Sequence, residues 1–150
     1  MYSKAEKSAV KKEFWTSFGS YMKPVPNASG NRINWLNYKT GVKNIYIRMD
    51  ADTQSCSIGI EIKHPEVLQR KAFFVKFISF KSHFKATVDG GWSWLEEIQD
   101  DDGSTVSKIV AEKKGVNVLN KESWPEMISF FKERLVALDD FWLTVKPLFE

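Results

Sequence analysis

A single cysteine, Cys56, is all the thiol the chain has. That excludes an internal disulfide framework and any zinc site built from several thiolates. Histidine is nearly as scarce: His64 and His83 stand nineteen residues apart. No helical or hairpin spacing gathers them with Cys56, so no metal site is expected. No apolar run is long enough to span a bilayer, and a membrane is not an expected partner. The phosphate-binding patterns Gly-x-x-x-x-Gly-Lys-Ser/Thr and Gly-x-Gly-x-x-Gly are missing, as is the nucleophile elbow Gly-x-Ser-x-Gly, so no cofactor is expected. The opening residues, Met1-Tyr2-Ser3-Lys4-Ala5-Glu6-Lys7, have neither the apolar core nor the cleavage site of an export signal. With a free thiol, that predicts a cytoplasmic protein. Asn27-Ala28-Ser29 then matches a glycosylation sequon by chance.

What is present suits one globular domain. A chain of 150 residues, 43% of them hydrophobic, can bury a core without covalent staples. Its net charge of +3 conceals an asymmetry. Residues 1–90 carry 15 Lys and Arg against 7 Asp and Glu, and residues 91–150 carry 7 against 12, balances of +8 and −5. Either the halves attract each other within the fold, or the basic part faces an anionic partner.

The patterning reads helix, three strands, helix, two strands, helix. Ser3-x-x-Glu6 is a capping box, and Val10, Phe14, Phe18 and Tyr21 follow at helical spacing until Pro24 and Pro26 stop the helix. Strands are predicted at 32–40, 44–50 and 56–63. Ile45, Ile47 and Met49 face one way, and Tyr46, Arg48 and Asp50 the other. A second helix opens at His64-Pro65-Glu66 and runs to Asp89-Gly90-Gly91. From Ala72 to Phe80 it is apolar nearly all round, which predicts cover on more than one side, including by a second copy of the chain. A hairpin joins 92–99 to 105–113 through Asp100-Asp101-Asp102-Gly103. Ser123-x-x-Glu126 is a second capping box, opening a helix whose apolar stripe is Ile128, Phe131, Leu135, Leu138, Trp142 and Val145. The expected fold class is α+β: a single domain over 1–150, order α-βββ-α-ββ-α, with a mostly antiparallel curved sheet packed by helices.

Two long stretches carry a resemblance. Phe14-Trp15-Thr16-Ser17-Phe18, Ile33-Asn34-Trp35-Leu36-Asn37-Tyr38-Lys39-Thr40-Gly41 and Tyr46-Ile47-Arg48-Met49-Asp50-Ala51-Asp52 resemble a bacterial family known as a domain of unknown function, family number 4268. So do Trp124-Pro125 and Leu138-Asp139-Asp140-Phe141-Trp142. The resemblance implies a small cytoplasmic bacterial protein, in some relatives fused behind a nuclease-like domain. It implies no activity and assigns no catalytic residue.

The residues themselves suggest two kinds of function. Asp50 with Glu61-Ile62-Lys63 is similar to the Asp…(Asp/Glu)-x-Lys pattern of metal-dependent nucleases, in which two carboxylates hold a divalent cation and lysine helps activate water. Hairpin register opposes this reading. Sharing the isoleucine face pairs 49 with 58, 47 with 60 and 45 with 62, which leaves Asp50 opposite Ser57, about 13 Å along the strand from Glu61 at ~3.3 Å per residue. Glu61 is then placed to pair with Arg48. The other reading is a non-catalytic binding module contacting another protein, a second copy, or nucleic acid. Lys4, Lys7 and Lys11 share a helix side with Trp15, while Arg32, Lys39, Lys43 and Arg48 interleave with Trp35, Tyr38 and Tyr46. Cations alternating with exposed aromatics suit a single-stranded nucleic acid. The candidate binding residues are therefore Trp35, Tyr38, Lys39 and Arg48. The alternative is a nuclease-like enzyme, or its decayed relative, using Asp50, Glu61 and Lys63.

Overall fold

Ser3 starts the first helix as its capping box predicts: its hydroxyl accepts from Glu6 N–H at 3.1 Å, and Glu6 accepts from Ser3 N–H at 3.3 Å. The computed structural model describes residues 2–150. In chain order they form α1 (Lys4–Met22), β1 (Ile45–Ala51), β2 (Ser55–Ile62), α2 (Val67–Ser79) and α3 (Lys81–Thr87). β3 (Ser93–Gln99), β4 (Thr105–Lys114) and α4 (Trp124–Val145) follow. Short 3-10 turns lie at Trp35–Asn37, Lys121–Ser123 and Lys146–Leu148. The sheet is antiparallel throughout, in the order β1-β2-β4-β3. The fold is α+β, with helices and sheet sharing one hydrophobic core.

The hairpin register is the one the isoleucine pattern dictates. Ile45 lies opposite Ile62, Ile47 opposite Ile60, and Met49 opposite Ile58. A shift of one residue would turn these side chains to the wrong face. Ile58, Ile60 and Ile62 are buried. The opposite face carries Tyr46, Arg48, Asp50 and Glu61. At its centre β4 closes on Gly59, where a Cβ would stand 2.7 Å from the Ile109 carbonyl oxygen. Only glycine fits this approach. In the β3–β4 turn, Gly103 holds φ +84 and donates its N–H to Asp100.

Aromatic residues build the core in three groups, one of them Phe77 with Trp142 and Phe149 at 4.5 to 6.1 Å. Phe14 meets Trp124 edge-on at 5.4 Å and packs with Trp15 and Phe131 where α1 crosses α4. Phe84 meets Trp92, Trp94 and Phe141 edge-on at 5.1 to 5.2 Å where α3 meets the sheet. Each buried indole also finds an acceptor. Trp35 donates to Val25 O, Trp124 to Val118 O and Trp142 to Thr40 O, at 2.7 to 2.9 Å. These bonds fix loops that carry no secondary structure of their own.

Four local expectations are corrected. The predicted strand at 32–40 is a loop around one 3-10 turn. Asn34 Oδ1 accepts from Leu36 N–H, and Asn34 O accepts from Asn37 N–H, so side-chain bonding beats an extended ladder. The second helix breaks at Phe80. Ser79 Oγ occupies the Lys76 carbonyl that Phe80 N–H would reach in a continuous helix, and that N–H turns to Phe77 O. The capping box at Ser123 is absent: a 3-10 turn capped by Asn120 already precedes α4, and Ser123 Oγ accepts from Asn117 N–H. On α1 the buried stripe ends on Met22, leaving Tyr21 exposed with Lys132 over its ring at 5.2 Å. No helix among the described residues is long and apolar enough to cross a membrane.

Candidate binding groove at the sheet edge

β1 is an outer strand, and the space beside it is a groove. Trp15 of α1 and Leu36 of the 3-10 turn form one wall. Tyr46, Ile47, Arg48 and Met49 of β1 form the other, with Lys63 at one end, enclosing about 650 Å³. On the other side of Leu36 a second depression of about 590 Å³ lies between α1, at Thr16, Gly19, Ser20 and Lys23, and the Arg32–Leu36 segment. Ile33 and Asn34 lead from there into a smaller recess of about 290 Å³, lined by Asn27, Asn37, Tyr38, Lys39 and Asp139. The first two compartments are lined by Arg48, Lys63, Lys23 and Arg32 and by no carboxylate.

The smallest recess is organised by Asp139. This carboxylate is 5% exposed and both oxygens are engaged: Oδ1 accepts from the Tyr38 hydroxyl at 2.5 Å, and Oδ2 from Ala28 N–H at 2.6 Å. Burial, and then the bond to Asp139, push the Tyr38 hydroxyl far above its ordinary value. Tyr38 is therefore a fixed neutral donor. Asp139 thereby ties both ends of the 28–38 loop to α4. It lies one position past Leu138 on the buried side of α4, and a carboxylate on a core-facing stripe is the signal sequence reading passed over.

Of the four candidate binding residues, Arg48 lines the first compartment, Trp35 the second, and Tyr38 and Lys39 the third. They line three neighbouring depressions that share Leu36, Ile33 and Asn34 as walls, and Trp35, 2% exposed, is the floor of its own. Arg48 is the accessible one. Its side chain is 47% exposed, and its 3.6 Å contact with Glu61 leaves guanidinium donors free. Leu36 and Met49 carry no charge, and only the tertiary structure draws them into the groove.

Asp50, Glu61 and Lys63 are not brought together. Asp50 lies opposite Ser57 and Glu61 opposite Tyr46, four positions apart along the ladder. Glu61 is 4% exposed, and Arg48 and Lys108 approach its Oε2 at 3.6 and 3.5 Å, leaving Oε1 buried without a partner. Lys63 contacts Asp100 at 3.0 Å. That bond raises the lysine and lowers the carboxyl from their usual values. Partial burial raises the Asp50 carboxyl against the pull of Arg48 and Lys108. Among the described residues, no three His, Cys, Asp or Glu side chains are placed to hold a metal ion. His64 Nδ1 accepts from Glu66 N–H, His83 lies over Phe141, and Cys56 is buried, its thiol pushed up to about 11 by that burial.

No curated protein and no solved structure matches the chain. A family model does, over residues 10–146. That span contains both walls of the groove, the Tyr38–Asp139 anchor and the whole sheet, and the chain belongs to the family described as Domain of unknown function (DUF4268).

Proposed function

We propose that this domain is a non-catalytic binding module, and that the furrow between α1 and β1 holds an extended anionic chain. The observation that carries the reading is the furrow's composition: Trp15, Leu36 and Tyr46 offer apolar and aromatic surface, and every charged residue of its two larger compartments is a cation. Among the described residues, Lys4, Lys7, Lys11, Lys12, Lys23, Arg32, Lys39 and Lys43 form no ion pair. Of these, Lys23 and Arg32 line the second compartment and Lys39 the recess, and they keep charge available to a partner there. A nuclease reading would need carboxylates gathered around a cation; Asp100 does approach Glu61, but Lys108 stands between them, and among the described residues no three His, Cys, Asp or Glu side chains are placed to hold a metal ion.

The test is a titration of isotopically labelled protein, followed by amide chemical shifts. The probes are a ten-residue polyglutamate peptide and a thymidine decanucleotide. At least one should shift resonances of Trp15, Leu36 and Tyr46–Met49, with affinity falling as salt rises. Arg48→Glu should weaken that binding by about tenfold, the loss of one charge-assisted contact. Shifts confined to another surface, or none with either probe, overturn the proposal.

A further inference from the structure

Hydrogen-bond parity along β1 says more about the occupant. Lys63 N–H donates to Asn44 O at 2.8 Å, and Asp52 N–H donates to Ser55 O at 2.9 Å, at opposite ends of the β1–β2 ladder. In an antiparallel pair the bonded residues alternate, so even-numbered β1 residues exchange bonds with β2 and odd-numbered ones point to the open edge. Ile45 has its outward groups satisfied locally: its N–H donates to Val42 O, and its carbonyl accepts from Thr40 Oγ1 at 2.7 Å. Ile47 and Met49 have no such partners among the described residues. Both line the groove. Their two N–H and two C=O groups therefore face the very space whose walls are Trp15 and Leu36.

We infer, building on the anionic-chain reading, that the occupant is a polypeptide strand that extends the sheet by pairing with Ile47 and Met49 of β1. A nucleic acid has no alternating row of donors and acceptors to match this edge, whereas an extended peptide does. Register then fixes the peptide's chemistry. In an antiparallel addition, residues opposite Ile47 and Met49 exchange main-chain bonds and share their face, beside Trp15 and Leu36, so they are apolar. Residues opposite Tyr46 and Arg48 lie on the open face and are acidic, answering the exposed Arg48, whose guanidinium keeps donors free. The partner segment therefore alternates apolar and acidic residues. A second copy of this chain adding through the same edge would set Arg48 of both copies on one face, cation near cation, which disfavours it.

The probe is a seven-residue peptide alternating Val and Glu, with three companions: one N-methylated at the valines, one N-methylated at the glutamates, and one with lysine for glutamate. The unmodified peptide should shift the Ile47 and Met49 amides. The lysine peptide should bind at least tenfold more weakly. Methylation at valine should abolish binding and methylation at glutamate should not, because only the valine N–H groups face β1 in an antiparallel pair. The reverse pattern supports addition of a parallel strand. Equal binding of both methylated peptides overturns strand addition but leaves the groove intact, as does binding of the thymidine decanucleotide alone. Failure of every probe to shift the groove sinks both readings. Met49→Pro removes one outward donor without touching the bonds to β2, so it should lose the peptide while still melting in one cooperative transition, at a temperature lowered by the loss of the half-buried Met49 side chain. If that variant does not fold, the methylated peptides decide alone.

Discussion

At the scale of the residue, two side-chain environments make sharp predictions. Cys56 is 1% exposed, and its thiol is pushed from 9.0 up to about 11 by burial. A folded-state value above the unfolded one stabilises the fold below pH 9.0, and that contribution is lost as pH rises toward 11. The thiol should therefore resist aromatic disulfide reagents in native protein at about pH 8 and react fully in denaturant. Rapid native labelling would show that β2 opens at this end. Gly59 is the second case. A methyl group there meets the Ile109 carbonyl at 2.7 Å, and backbone cannot swing aside as a side-chain tip can. Gly59→Ala should cost ~1–3 kcal/mol in denaturant unfolding, the usual penalty of overpacking. No loss would mean that β2 and β4 part easily at their centre.

At the scale of the element, the furrow depends on how a loop without regular structure is held. Asp139 carries two bonds to it, one from Ala28 N–H and one from Tyr38. Asp139→Ala strands both donors and should cost ~1–3 kcal/mol, lowering the melting temperature by about 2–4 °C per kcal/mol for a chain of this size. Tyr38→Phe removes one donor and leaves the Ala28 bond, so its loss should be the smaller. If the two variants melt alike, the Ala28 bond contributes nothing. The helix break at Phe80 is a similar local event, set by one serine hydroxyl at a carbonyl. Neither feature is visible in hydrophobic periodicity, which reports burial and not side-chain bonding to the backbone.

At the scale of the whole molecule, the charge asymmetry has a divided answer. Lys63 meets Asp100, and Arg70 and Lys71 meet Glu97, so part of the basic half does face the acidic half. The lysines of α1 and the cations at 23–43 do not. The Lys63–Asp100 contact sets a pH dependence. Asp100 titrates below its ordinary 3.8, so its contribution is present above that value and is lost as pH falls through the folded one. Lys63 titrates above 10.5, so its contribution holds below that value and is lost as pH rises through the folded one. Asp100→Asn should thus lower the melting temperature near neutrality, and the gap from the native protein should close as pH falls below 3.8. A gap unchanged with pH would assign the effect to packing.

The sequence by itself determined the α+β class, the hairpin register and the capping of α1, because each follows from local spacing of apolar and capping residues. It also determined that Asp50 and Glu61 lie apart, since strand parity alone separates them. Local bonds of Asn34 to Leu36 and Asn37 make 32–40 a loop, which apolar alternation does not report; only the tertiary structure decided that this loop is a wall, that Asp139 fastens it, and that Ile47 and Met49 face an open edge. Those outcomes depend on partners 10 to 111 residues distant along the chain, such as Trp35 on Val25 and Ala28 on Asp139. A contact of that kind is fixed by where elements dock, and a periodic pattern of side chains holds no record of it.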